Sequence, residues 1–374
     1  MTPIFLYGSL CHAPLREVVT GAPGGGEVRP ARLMGHAVVW AEGESFPMIL
    51  ERAGAEALGV LLANPGEQAL ARLDYYEGGF GYRLVPVEVI AEEGPVRARM
   101  YVPPEVGLTP GAPWDLAEWA ERWGPLSCLT AEEVMADMDQ RPPAEVARRF
   151  GPMRARAQAR LNARKAAPTT LRRRARPEDV HLRRRSLAYS QFFSVEEYDF
   201  SHRKFSGEHG PELNRTAFIS ADAVTVLPYD PIRDRVLLIE QFRAGPFARG
   251  DAQPWMLEAI AGRIDGGETP EESARREAQE EAGLELGQLH LVAQYYPTPG
   301  AKSEFLYGYI ATADLPDEVA GIAGLEGEGE DIRSHVISFD RAMALLDSGE
   351  INVGPLILLV LHLSRLRETL RSGS

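Results

Sequence analysis

Glu277, Glu280 and Glu281 stand at positions i, i+3 and i+4 within the acidic stretch GRIDGGETPEESARREAQEEAGL, residues 262–284. On a helix this spacing places three carboxylates on one face, where like charges cost about 0.2–0.5 kcal/mol per pair, so something should compensate. Arg276 can pair with Glu272 or Glu280, which leaves Glu277 and Glu281 as a convergent pair spaced to share a hard divalent cation, with magnesium the natural candidate. The competing reading is a solvated helix of alternating Arg and Glu. A cation so held would neutralise anionic oxygens and lower the pKa of bound water. A Gly-flanked acidic loop, Gly327-Glu328-Gly329-Glu330, could supply a mobile base, against the alternative of a solvated tip. Arg243 could grip a phosphate oxygen bidentately or form an ordinary surface ion pair.

A second group of residues lies near the N-terminus. A strand over residues 3–6 runs into Tyr7-Gly8-Ser9-Leu10, a turn whose Gly lets backbone N–H groups approach an anionic ligand. Far along the chain Leu73-Asp74-Tyr75-Tyr76-Glu77-Gly78 closes a helix and is followed by Tyr82. Glu77 could act as a base or pair, as a helix-terminal acid, with a nearby Arg.

Several elements must position these groups. Thr269 as N-cap, Pro270 at N1, Glu272 at N3 and Gly283 past the end define the acidic helix, and Ala274 with Ala278 gives it a small face for close packing. Residues 67–76 place Ala69, Leu70, Leu73 and Tyr76 on one helical face, and residues 96–102 alternate as a half-buried strand. Further strands are expected over 223–227 and 236–241, with apolar-periodic helices at the end, an α+β or α/β sandwich. Between the two halves, residues 126–187 carry broken helical patterns, Pro142-Pro143 and Arg clusters, and read as a connector.

A chain of 374 residues exceeds one ordinary core, so two domains are expected. With 44% hydrophobic and 25% charged residues, the composition excludes collagen-like and disordered classes. No apolar run reaches the roughly 20 residues of a membrane span, and the N-terminus lacks a basic n-region and a long apolar core. Cys11 and Cys128 form no CxxC pair and suit a reducing compartment, so the cytoplasm is the expected location and structural zinc is unsupported. The net charge of −14 hides a basic stretch, residues 148–185, with 14 Lys and Arg against Glu178 and Asp179. That stretch reads as a solvated linker balancing acidic neighbours, and nucleic-acid binding is not supported.

The complete order Gly262, five residues, Glu268, seven residues, Arg276-Glu277, two residues, Glu280-Glu281, one residue, Gly283 resembles the full signature of Nudix hydrolases. That resemblance, over residues 188–374, implies an α/β/α sandwich that hydrolyses a pyrophosphate bond in a nucleoside diphosphate derivative. Glu240-Gln241-Phe242-Arg243, Pro254-Trp255, Glu258, Pro299-Gly300 and Glu304 resemble the ADP-ribose pyrophosphatases within the family. The resemblance implies Mg2+, with Mn2+ the alternative, held by the Ala261 carbonyl, Glu277 and Glu281, with Glu280 a further ligand or helper. It implies Glu330 as the residue activating water, with Glu328 competing, and substrate contacts from Arg243, Glu258, Pro299, Gly300 and Glu304. Gly262, Glu268, Arg276 and Gly283 would be structural. The products would be AMP and ribose 5-phosphate, and subunits would pair as a homodimer through strands over 187–218. Related pyrophosphatases often carry an Arg where this chain has Ser220-Ala221-Asp222, so Arg215 or another group would have to substitute.

The Tyr7-Gly8-Ser9-Leu10 turn and Glu77 together resemble the gamma-glutamylcyclotransferase-like family. This implies a small mixed β-barrel over residues 1–125, with the turn binding a γ-glutamyl group and Glu77 as the base for 5-oxoproline formation. The competing function pairs hydrolysis of another nucleoside diphosphate sugar with a non-catalytic N-terminal ligand sensor.

Overall fold

A computed structural model describes residues 2–104, 107–323 and 331–373, arranged in two compact units, 1–161 and 162–374. Glu328 and Glu330 lie outside the described residues.

The first unit is built on strands β1 (Ile4–Leu6), β2 (Val28–Ala41), β3 (Pro47–Leu62), β4 (Arg83–Ala91), β5 (Gly94–Val102) and β6 (Pro110–Pro113). Their order β3-β1-β5-β4-β2 closes because β2 also pairs with β3, giving a five-stranded barrel with β6 appended to β2. The barrel is mixed, since β1 runs parallel to β5 and antiparallel to β3. Strand alternation explains why β1 is buried throughout: Phe5 enters the barrel core with Leu33, Leu61 and Met100. Its neighbours Ile4 and Leu6 face a second core with Leu15, Leu73 and Trp119 of the helices α1 (Ala13–Thr20), α2 (Glu67–Gly78) and α3 (Leu116–Arg122).

Residues 126–161 depart from the expected connector. Helices α4 (Gly124–Ala136), α5 (Pro143–Arg148) and α6 (Phe150–Asn162) belong largely to the first unit, and bury Leu126, Val134, Val146 and Met153. Pro143 opens α5 at a position where its missing N–H costs nothing. Part of the basic stretch is used inside this packing: Arg149 donates to Asp137 at 2.8 Å, and Arg156 is paired with Glu133. Buried cations so paired read in sequence as a solvated cluster, which is why the expectation placed them in a linker. Residues 163–178 are exposed, and the second unit's first strand starts at Val180 rather than at 188.

That second unit opens with an antiparallel sheet of β7 (Val180–Ser190), β8 (Ser194–His202) and β9 (Leu213–Ile219). Its main sheet runs β14 (Leu289–Tyr295), β15 (Leu306–Thr312), β10 (Ala223–Asp230), β11 (Arg235–Phe242), β17 (Ile332–Ser338), β16 (Ile322–Ala323). The short strands β12 (Trp255–Glu258) and β13 (Ile260–Arg263) pair with β11 and β10, and α7 (Ala244–Arg249) lies between β11 and β12 in sequence. Val224, Val226, Leu237 and Ile239 pack under Ala274 and Ala278 of α8 (Pro270–Ala282). Their strand neighbours Leu227, Tyr229, Val236 and Leu238 meet Phe339 and Leu345 of α9 (Phe339–Ser348) and Leu356 and Leu359 of α10 (Gly354–Ser372). The result is an α/β/α sandwich, because two-residue alternation sends each strand's apolar groups to both helical layers.

Candidate functional site

Helix α8 is fixed at both ends as its sequence requires. Thr269 accepts from the Glu272 N–H at 3.2 Å while the Glu272 carboxylate accepts from the Thr269 N–H at 2.8 Å, and Gly283 ends the helix at φ 61°. The fully buried Ala274 and Ala278 let the helix approach the sheet closely and so bring its acidic side against β13. Glu281, only 2% exposed, accepts from the Ala261 N–H at 3.1 Å. Glu277 lies against Gly262 so closely that a Cβ there would overlap its carboxyl group. Two carboxylates from successive helical turns therefore meet the backbone at 261–262.

Arg276 organises the rest of the face. Its guanidinium donates to both oxygens of Glu268 at 2.8 and 2.9 Å, to Glu277 at 2.7 Å, to Glu280 at 3.0 Å and to the Arg263 carbonyl at 3.0 Å. Partial burial alone would raise Glu268, but bonds from Arg276, from the Ser273 hydroxyl at 2.6 Å and from the Asp265 N–H outweigh it and hold Glu268 at about 2. The Glu268 hydrogen bonds in return push the Arg276 pKa up. The like-charge cost expected from the sequence is thus met mainly by one arginine.

The donor set suits a hard divalent cation. Glycine at 262 leaves room that any side chain would fill, and the two carboxylates there are oxygen donors. Among the described residues no three His, Cys, Asp or Glu side chains converge on one point, so carbonyl, water and substrate oxygens would complete the shell.

Arg243 is engaged with Glu258 at 2.5 Å. Pro299 and Gly300 sit in the turn closed by the Ala301 N–H on the Thr298 carbonyl, and Glu304 accepts from Lys302 at 2.8 Å and from the Ser220 hydroxyl at 3.3 Å. Arg215 is exposed and donates to the Asn214 carbonyl, whereas the Ser220-Ala221-Asp222 segment is buried. Burial lifts Asp222 to about 6 even though Asn162 donates to it at 3.0 Å. Asp222 and the Ser220 to Ser303 hydrogen bonds were not anticipated from the sequence, which offers no spacing signal for them.

The first unit holds a cavity of about 240 Å³ lined by the Tyr7-Gly8-Ser9-Leu10 turn and by Glu77. A Cβ at Gly8 would come to 3.0 Å from the Pro47 ring, a tight contact that glycine avoids. Glu77 is half-buried, and among the described residues no side-chain hydrogen bond or ion pair reaches it, so the alternative of an ion pair with a nearby arginine is not seen. Desolvation alone pushes Glu77 up to about 7. Burial, and secondarily the Glu77 charge, also raises Tyr76 and Tyr82, so the phenols stay protonated around it. Phe80, Phe150 and Arg154 complete the lining and were missed, because helix α6, which carries the last two, read as connector.

Comparison with known proteins matches these two geometries. Residues 220–357 fit the model of the NUDIX domain, and residues 4–121 fit that of gamma-glutamyl cyclotransferase, AIG2-like. An ADP-ribose pyrophosphatase of Escherichia coli (strain K12) is 40% identical over 174 residues, 46% of this chain and 82% of that protein. The chain belongs to the Nudix family of hydrolases. A GDP-mannose pyrophosphatase of Salmonella arizonae is 32% identical over 154 residues, covering 41% of this chain and 79% of that protein. A solved structure described as an ADP compounds hydrolase aligns at 22% identity and TM-score 0.41, over 52% of this chain and 97% of that one. This Nudix protein carries its gamma-glutamylcyclotransferase-like barrel on the N-terminal side, and among its described residues no helix is long and apolar enough to cross a membrane.

Proposed function

We propose that the second unit hydrolyses the pyrophosphate bond of ADP-ribose to AMP and ribose 5-phosphate with Mg2+, Mn2+ being the alternative. The observation that carries this is the meeting of Glu277 and Glu281 with the Ala261–Gly262 backbone, in a chain that is 40% identical over 174 residues to an ADP-ribose pyrophosphatase. Glu277, Glu281 and the Ala261 carbonyl would hold the ion, with Glu280 as a further ligand or helper. When bound, the ion supplies charge neutralisation at the diphosphate and a lowered pKa for coordinated water. Arg276 holds the Glu268, Glu277 and Glu280 carboxyl groups in place, and Gly283 lets the helix end turn away. Glu330, with Glu328 competing, would take the proton of the attacking water. Arg243 and Glu258, now paired, would reorganise so that the guanidinium meets substrate phosphate, and the turn at Pro299 and Gly300 with Glu304 would flank the substrate. Exposed Val180, Leu182, Tyr189 and Phe192 on β7 and its following turn support a homodimer formed through this unit. The free thiols Cys11 and Cys128 accord with a cytoplasmic setting.

Product analysis after incubating ADP-ribose and a nucleotide-sugar panel with protein and magnesium in oxygen-18 water tests the reading. AMP and ribose 5-phosphate are expected, and the labelled product identifies the phosphorus attacked. Turnover of GDP-mannose or another panel member but not ADP-ribose would overturn the substrate and retain the chemistry.

A specific observation favours a second activity in the first unit: a carboxyl with a pKa of about 7 stands in a cavity beside the Tyr7-Gly8-Ser9-Leu10 turn. Glu77 would take a proton from the substrate α-ammonium; the freed amine would bond to the γ-carbonyl carbon and give up a second proton as the ring closes, the γ-amide C–N bond would break, and the departing nitrogen would take up both protons, the first of them from Glu77, and leave as an ammonium. Release of 5-oxoproline from γ-glutamyl compounds by wild type is the expected result. Binding without release would favour a ligand sensor instead.

A further inference from the structure

Arg97 and Arg99 stand two residues apart on β5, and strand alternation turns both to the outside of the barrel, away from the core that holds Ala98 and Met100. A groove of about 540 Å³ lies there, lined by both arginines, Glu88, Thr2 and Pro86 among others. It shares no lining residue with the cavity that holds Glu77.

The strand register explains why Arg99 has no acceptor. Its neighbour on β4 is Pro86 and its neighbour on β1 is Ile4, neither of which carries a polar side chain. Two residues on, the Tyr101 hydroxyl spends its proton on the exposed Asp74 at 2.6 Å, and among the described residues no ion pair joins Asp74 to Arg99. The Arg99 Nε is closed off from water and meets no hydrogen-bond partner. A donor left so is costly, and a bound anion removes that cost. Arg97, which is exposed, faces Glu88 directly across the β4–β5 ladder, yet among the described residues no ion pair joins those two either. The groove's charged side chains are thus two guanidinium groups and one carboxylate, a net positive charge.

The spacing selects the anion. Side chains at i and i+2 leave the strand about 6.4–6.8 Å apart, so two planar guanidinium forks can converge on one group from different directions. A phosphate has oxygens on all sides for both forks, whereas a carboxylate has two in one plane. Glu88 repels either, and a dianion gains more from the arginines against that repulsion than a monoanion does. We propose that this outer groove binds a phosphate dianion, free or as a monoester, with Arg99 Nε and the Arg97 guanidinium donating to its oxygens. Neither unit's reaction enters the argument.

Titration calorimetry of the full-length protein at fixed ionic strength, with chelator present, would use inorganic phosphate, methyl phosphate and acetate. One saturable site for a phosphate is expected, with acetate weaker by about 10-fold or more. Tighter binding of methyl phosphate than of inorganic phosphate would make the site one for esters, and the reverse order one for the free ion. Arg97→Met and Arg99→Met should each weaken phosphate by about 10-fold or more, the loss of a charge-assisted hydrogen bond. Arg99→Lys, which keeps the charge and guards against a folding defect in Arg99→Met, should retain part of the affinity. Glu88→Gln should tighten binding by about 2- to 5-fold, a sign that a merely structural role would not produce. Arg29→Met removes another barrel arginine, one already paired with Glu93 at 2.8 Å, and should change nothing. The proposal is overturned by no saturable phosphate binding, by acetate as tight as phosphate, by undiminished affinity in folded Arg97→Met and Arg99→Met proteins, by weaker binding in Glu88→Gln, or by an equal loss in Arg29→Met.

Discussion

Glu77 and Glu268 are the same residue type, each partly withdrawn from water, yet one is lifted to about 7 and the other is held at about 2. The difference lies in their partners. Glu77 ends α2 inside a cavity walled by tyrosines and phenylalanines, where nothing offsets the cost of its charge. Glu268 also bears a burial cost, but a fork of two Arg276 donors, a serine hydroxyl and a backbone N–H repay it. One unit is arranged to exchange a proton near neutrality. The other holds Glu268 ionised through Arg276, beside a face whose Glu277 and Glu281 would attract a cation.

The sharpest way to break this comparison is to neutralise one acid in each unit without changing its shape. Glu281→Gln retains an oxygen for the Ala261 N–H but removes the charge, and should lower pyrophosphate hydrolysis by about 10³-fold while leaving 5-oxoproline release unchanged. Measuring AMP and ribose 5-phosphate for the one activity and 5-oxoproline for the other checks it, and retained metal-dependent hydrolysis would sink the assignment of Glu281. Glu77→Gln should do the reverse, lowering 5-oxoproline release by about 10²-fold with hydrolysis untouched. Equal release by mutant and wild type would show that Glu77 is not the base. A smaller effect is expected from Gly262→Ala, whose new methyl must displace the Glu277 carboxyl: about a 10-fold rise in the magnesium concentration for half-maximal hydrolysis, close to that of outer-shell changes at metal sites. An unchanged magnesium titration would mean that Glu277 needs no fixed approach to this backbone.

The acidic helix was legible because its information is local. Capping residues, a small packing face and charged spacing all fall within residues 262–284, and the folded helix repeats each of them from Thr269 to Gly283. Strand alternation likewise exposed β5 and the central strands of the second unit. What the sequence hid depends on contacts between distant segments. Arg149 and Arg156 look like solvent-facing charges until Asp137 and Glu133 of other helices are placed beside them. The same ambiguity concealed Phe150 and Arg154, which reach the cavity only because α6 packs beside a barrel built from strands between residues 4 and 102. Glu77 was visible as a candidate, but its lack of an arginine partner, the fact that sets its pKa, belongs to the tertiary structure alone.

The gentlest test of the comparison varies pH. If Glu77 must be ionised to act, 5-oxoproline release should climb with pH and half-saturate near 7, with phenol ionisation beginning only at much higher pH because burial raises Tyr76 and Tyr82. Stability should move the opposite way. A carboxyl raised from 4.5 to about 7 favours the folded state fully below 4.5, where both states are protonated, and that contribution is lost as pH rises through about 7. Full-length wild type compared with Glu77→Gln by chemical denaturation should therefore show a stability difference that changes between pH 4.5 and 7, by about 1–3 kcal/mol after allowing for residual solvent access, and is level above. A difference that is flat across this window would place the Glu77 charge in water, and with it would go the contrast between a proton-exchanging Glu77 and a Glu268 that Arg276 holds ionised.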